Sequence, residues 1–305
     1  MPNIFCKKTS DFVRHFVRTE HLSHFSGVDS RLDIAAFGSL QIMCALDFSH
    51  ISCCSAENFA LKVQPFKYDD LLLRRFCGAV KPGGWIVFGI CPFSFLLDDF
   101  FPAMQKSLSF KRYYFLLDEK TMPGYSEKER KKIMSRYFLC RKWNDFWGVK
   151  VDDFPVRKRP VTDEELAADA EKRLADWQQL FFSSSDFRQL LFPEHLKKNT
   201  ALLHDMIVFA EQRSLKTALF LPPVSPALRE RFEDNVLAEY LYKPLNEAAN
   251  GTSVRIIDEM QNGEFISHEY FHDSFLLSTR GRNVLTEILT AKLLNGSQEL
   301  KGLQC

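Results

Sequence analysis

The stretch "RLDIAAFGSLQIMC", Arg31–Cys44, decides how the chain is read. Asp33–Phe37 is a short apolar run that reads as a buried strand, and it stops at the small polar pair Gly38-Ser39. Apolar residues resume at once with Leu40, so the pair is a strand-to-helix turn. In an α/β protein such a turn is where a nucleophile is exposed. The residue that follows the pair is leucine, which has no chemistry to offer. The turn is therefore an active site shifted by one residue, a former active site, or an ordinary turn.

Outward from this stretch, strand-like and helix-like segments alternate in two blocks. In the first, Ser55–Leu61 is a weaker strand, Pro65–Val80 has helical spacing with Pro at its start, and Lys81-Pro82-Gly83-Gly84 is a stop signal. Trp85–Ile90, "WIVFGI", is a continuous apolar run of the kind buried on both faces of a parallel sheet. From about residue 95 to 192 the pattern is irregular and aromatic, then helical. Thr162 to Glu165 forms a capping box that opens an amphipathic helix to Phe181. The second block has a helix around Leu196–Arg213, a strand Lys216–Val224 stopped by two prolines, a helix Pro226–Tyr242, a strand Ser253–Glu259 and a terminal helix Arg282–Leu294. This order predicts one α/β domain over 1–305, with about five mostly parallel strands and a helical, aromatic insertion at about 100–195. Ligands of such sheets bind outside the carboxyl ends of the strands.

Composition narrows the function classes. Of 305 residues, 46% are hydrophobic and 26% charged, as in soluble globular proteins. Forty basic residues against 39 acidic ones give no case for a nucleic-acid or membrane-surface partner. No run of about 18 apolar residues is present, so no membrane span is expected. "MPNIFCKKTSDFVRHFVRTEH" lacks the uninterrupted apolar core of a secretory signal, and the chain reads as cytoplasmic. The eight Cys show no Cys-x-x-Cys pair and no paired His spacing, which argues for reduced structural thiols and against zinc. The 29 Phe point to a core or a groove rich in aromatic area.

Three segments in order, "FGSLQ" after the first strand, "NFALKVQPFKYD" after the second and "FHDSFLLSTRGRNVLTEIL" near the C-terminus, together resemble the SGNH or GDSL-type hydrolases. More narrowly they resemble the bacterial branch related to polysaccharide acyl modification. The resemblance spans roughly Asp33 to Leu294, with the middle insert matching least. It implies a three-layer, flavodoxin-like fold, no cofactor and no metal, acyl-ester hydrolysis or acyl transfer, and acylated carbohydrate as the partner. In the family's first block Gly38 matches the glycine and Ser39 the middle residue, and the nucleophile falls on Leu40. In the last block Asp273 matches the acid, while Leu276 stands where the base His belongs. The oxyanion and substrate-binding positions are Gly38, the Leu40 amide and Asn58, with Ala60 and Val63 where glycines are commoner. "LPPVSP", Leu221–Pro226, replaces the third block. A hydrocarbon side chain can neither attack a carbonyl nor accept a proton. The resemblance therefore implies a degenerate hydrolase.

Each candidate also has a plainer reading. Ser39 is either a slipped nucleophile or the N-cap of the following helix. His272 is a substitute base or a locally paired histidine, and Asp273 is an acid, a cap for the segment that follows it, or the partner of Arg280 or Arg282. Asn58 stabilises a turn or keeps a ligand contact. Trp143–Gly148 with Tyr113 and Tyr114 make a sugar platform or simply fasten the insert, and the basic run Val156–Pro160 is a solvated face or an anion site. Two rival functions remain: a non-catalytic glycan- or protein-binding scaffold, and an unrelated hydrolase using Cys44 or Cys91, for which the sequence offers no adjacent base.

Overall fold

The computed structural model describes residues 31–97 without 63, 113–117, and 159–294 without 185 and 186, together with residues 25, 28 and 128. The chain divides into two compact units, Asp29–Asp98 with Val156–Cys305, and Met1–Val28 with Asp99–Pro155. In the latter unit Tyr113–Leu116 forms a short helix. The side chain of Tyr114, Trp143–Gly148 and most of Val156–Pro160 lie outside the described residues.

The larger unit is built on five parallel strands: β1 Leu32–Phe37, β2 Ala56–Asn58, β3 Val80–Gly89, β4 Lys216–Leu221 and β5 Arg255–Asp258. They lie in the order β2-β1-β3-β4-β5, with every pairing parallel. β1, β4 and the Trp85–Gly89 half of β3 read as near-continuous apolar runs because both their faces are covered. Right-handed crossovers fix the layers. The step from β1 out to β2 places α1 (Leu40–Ala45) on one face, where it packs with the last helix, α8 (Thr279–Leu294). The steps from β2 back to β3 and on to β5 place α2 (Phe66–Phe76), α4 (Pro193–Glu211) and α7 (Lys243–Ala249) together on the other face. This three-layer α/β arrangement is the fold expected from the alternating pattern.

The remaining helices are α3 (Asp163–Phe181), α5 (Pro226–Arg229) and α6 (Asp234–Leu237). Helix α3 starts at the expected capping box: Thr162 Oγ1 accepts from the Glu165 amide, and Glu165 accepts from the Thr162 amide. Three expectations on boundaries are corrected. Strand β2 ends at Asn58 rather than Leu61, because the Asn58 side chain accepts from the Ala60 amide and turns the chain. Lys81-Pro82-Gly83-Gly84 does not stand before a strand but within β3, as extra residues between the Leu32–Val80 and Ile34–Trp85 pairs, with Gly83 at φ +76°. The single helix expected over Pro226–Tyr242 is α5, α6 and a π-turn Ala238–Tyr242 that runs into α7. Pro244 explains the last break, since it supplies no N–H and its ring crowds the carbonyl one turn back.

Candidate functional site at the carboxyl edge of the sheet

In this strand order the topology reverses between β1 and β3, and the crevice outside their carboxyl ends is the position the fold offers a ligand. Gly38-Ser39-Leu40 leaves β1 there, and Cys91 follows β3. Gly38 sits at φ +150°, where a side chain would also press on Ile42 and on the Gly89 carbonyl. Ser39 occupies the N-cap position of α1 and its carbonyl accepts from the Met43 amide, but its hydroxyl makes no capping bond. Instead Ser39 Oγ lies 4.0 Å from Cys91 Sγ, whose own close contact is Ser94 Oγ at 3.0 Å. Burial pushes the Cys91 thiol up, with the Ser94 and Ser39 hydroxyls opposing. Burial pushes Cys44 up to about 12. A thiol kept protonated is a weak nucleophile and a weak base, so neither cysteine carries the thiol-hydrolase reading.

Leu40 is the first residue of α1, so its amide has no acceptor within the helix. Asn58 does not share that edge as a donor. Its Nδ2 gives both hydrogens to the carbonyls of Ile42 and Leu46, each at 3.0 Å, closing the C-terminal end of α1. The oxyanion role the resemblance implies for Asn58 therefore has no free amide hydrogen behind it. Beneath the turn, Asp69 of α2 is buried and accepts from Gln64 Nε2 at 2.7 Å. Burial raises its carboxyl well above the usual carboxylate range, against the opposing bonds from Gln64 and the Gly38 amide.

The second half of the site is the turn His272–Leu276, which closes with the His272 amide on the Leu276 carbonyl and an isolated bridge between Phe271 and Leu277. Asp273 acts as the cap of this turn. Its Oδ1 accepts from the amides of Phe275 and Leu276, both at 2.8 Å, and lies 3.3 Å from Arg173 of α3. The partner is neither Arg280, which pairs with Glu269, nor Arg282, which pairs with Asp47. Arg173 also meets Asp169 at 3.2 Å, and Asp169 accepts from both the amide and the hydroxyl of the buried Ser274. Burial alone would raise the Asp169 carboxyl, but Ser274 and Arg173 outweigh it and hold the carboxyl below its ordinary value. Leu276, which the resemblance sets in the base position, is buried.

The two halves meet through Gln41, whose Nε2 donates to the Phe275 carbonyl at 3.4 Å, while the Ser225 amide after β4 donates to the Ser274 carbonyl at 3.0 Å. Aromatic rings fill the space above β3. Phe93 lies within 5.2 Å of Trp177 and 5.9 Å of Phe232, and Trp177 meets Phe275 edge-on at 5.2 Å. The Arg173 guanidinium stands 5.1 Å over Phe275. The sequence singled out Gly38, Ser39, Leu40, Asp273 and Leu276, and the structure places their turns side by side. It did not single out Gln41, Ser94, Asp169, Arg173, Trp177 or Ser274. Asp169 and Arg173, four apart in an amphipathic helix, read from sequence as one more solvated pair. Among the described residues no group of three or more His, Cys, Asp or Glu could hold a metal ion, and no helix is long and apolar enough to cross a membrane.

No family model matches the chain, and no curated protein matches it. Among solved structures it is similar to one described as "a putative platelet activating factor from Streptococcus pneumonia", at 11% identity and TM-score 0.42 over 92% of each chain. At that level the likeness carries no functional argument.

Proposed function

We propose that this chain is an SGNH-hydrolase-like protein whose site descends from an acyl esterase or O-acetyltransferase acting on carbohydrate, and that it no longer hydrolyses esters. The observation that carries this reading is the bonding of Asp273. In a working triad the acid orients an imidazole. Here the Asp273 carboxylate holds two backbone amides and Arg173, and the position it would serve is Leu276. The nucleophile position is Leu40, and the hydroxyl beside it faces a buried, protonated thiol. Attack by serine needs a group to take its proton, and that thiol does not do so.

A second reading, a glycan-binding scaffold, is favoured by the half-exposed Trp177 set edge-on against Phe275 beneath Arg173. An aromatic face beside a guanidinium suits the apolar and hydroxyl faces of a sugar. The test is hydrolysis of p-nitrophenyl acetate by the unmodified chain and by the double variant Leu40→Ser with Leu276→His. The double variant is expected to gain turnover over the parent. Turnover in the parent that the double variant does not raise would overturn the proposal. Quenching of Trp177 fluorescence by acetylated oligosaccharides, abolished in Trp177→Phe, supports the scaffold reading, and its absence removes that reading.

A further inference from the structure

At the opposite end of β1 from the candidate site, two cysteines stand next to each other in the loop that enters β2. Cys53 is exposed and Cys54 half-buried, and the side chain of Cys53 stands beside the Cys54 thiol. The loop holding them is fixed at both ends. The Ile51 amide closes the preceding turn on the Phe48 carbonyl at 3.0 Å. The Ser55 amide donates to Asp33 Oδ2 at 2.9 Å, and the Asp33 amide donates back to the Ser55 carbonyl at 2.7 Å. Asp33 is itself paired with Lys81. The other described thiols differ: Cys44 and Cys91 are buried, and Cys77 donates to the Arg74 carbonyl.

We propose that Cys53 and Cys54 form a vicinal-dithiol site that captures trivalent arsenic species of the arsine-oxide class through both sulfurs. Neighbouring thiols on a fixed loop bring two soft donors to one centre at little further ordering cost. The step balances without an oxidant: both S–H bonds and the As=O bond break, two As–S bonds form, and the oxygen leaves as water with the two thiol protons. The rival fate, oxidation to a disulfide, needs a two-electron oxidant, which the capture step does not.

The full chain is treated with one equivalent of phenylarsine oxide and then challenged with excess 2-mercaptoethanol or with 2,3-dimercaptopropanol, and intact mass is read after each. Capture by both sulfurs predicts a single adduct that survives the monothiol and is removed by the dithiol. Retention after the monothiol should fall at least tenfold in Cys53→Ser and in Cys54→Ser. Cys53 is exposed, so Cys53→Ser keeps the parent melting temperature and decides the matter even if Cys54→Ser folds poorly. An adduct that survives the monothiol equally in Cys53→Ser, or no monothiol-resistant adduct on the parent, overturns the proposal. Neither result depends on whether the carboxyl-edge site hydrolyses esters.

Discussion

The two turns that meet at the carboxyl edge of the sheet, Gly38–Gln41 and Asp273–Leu276, keep different things. The first has a glycine at φ +150°, a small hydroxyl residue, and a helix whose first amide lacks an acceptor within it. On the proposed reading it lacks a nucleophile in register. The second keeps a carboxylate at the expected position, but that carboxylate is bonded into its own turn and to α3. On the proposed reading, one turn has the geometry and the other the residue type, and neither has a proton path. A motif residue is defined by its bonding partners, and Asp273 reads as an acid only until those partners are known.

The largest effect that sharpens this comparison concerns what holds the second turn against α8. A Cβ on Gly281 would stand 2.2 Å from the Tyr270 carbonyl oxygen, which is backbone and cannot swing aside. Gly281→Ala should therefore lose about 3 kcal/mol in urea unfolding, at the upper end of overpacking costs. Next is the support of the first turn. Asn58→Ala leaves the Leu46 carbonyl without its donor and the Ile42 carbonyl with the Leu46 amide alone, and should cost about 2 kcal/mol by the same measurement. An unchanged midpoint would return Asn58 to the role of ligand contact.

Asp273 separates the halves further. Asp273→Ala removes the cap of its turn and should cost about 1–2 kcal/mol, whereas Asp273→Asn keeps an oxygen for the two amides and should cost less. A fall in esterase rate in Asp273→Asn with stability unchanged would make it a catalytic acid after all.

The smallest effect is a pH dependence. Asp69 has its carboxyl raised by burial, so the stability contributed by its neutral form is complete below the ordinary carboxylate value and is lost as pH rises through the raised one. Above the ordinary carboxylate range the melting temperature should decline with pH in the parent and decline less in Asp69→Asn. Parallel curves would show that Asp69 does not change protonation between the folded and unfolded chain.

Much of the fold was legible because its signals are local. Trp85–Ile90 and Lys216–Leu221 are apolar without alternation, which only a strand covered on both faces tolerates, and Thr162 with Glu165 marks a helix start three residues apart. The π-turn before Pro244 and the loop inside β3 were not legible, since each depends on how neighbouring elements pack. The site divides in the same way. Gly38-Ser39-Leu40 announces itself at the end of a strand. The Asp169–Arg173–Ser274 cluster joins residues 105 and 101 apart, and Gln41 reaches Phe275 across 234 positions, so no spacing in the sequence betrays either.

The most direct measurement of the central claim is the initial rate of p-nitrophenyl acetate hydrolysis by the unmodified chain beside its Ser39→Ala variant. A site without a nucleophile in register predicts equal rates, both at the level of surface side chains. A parent rate well above that level, removed by Ser39→Ala, would contradict the account and show that Ser39 attacks with a base other than the residue at 276.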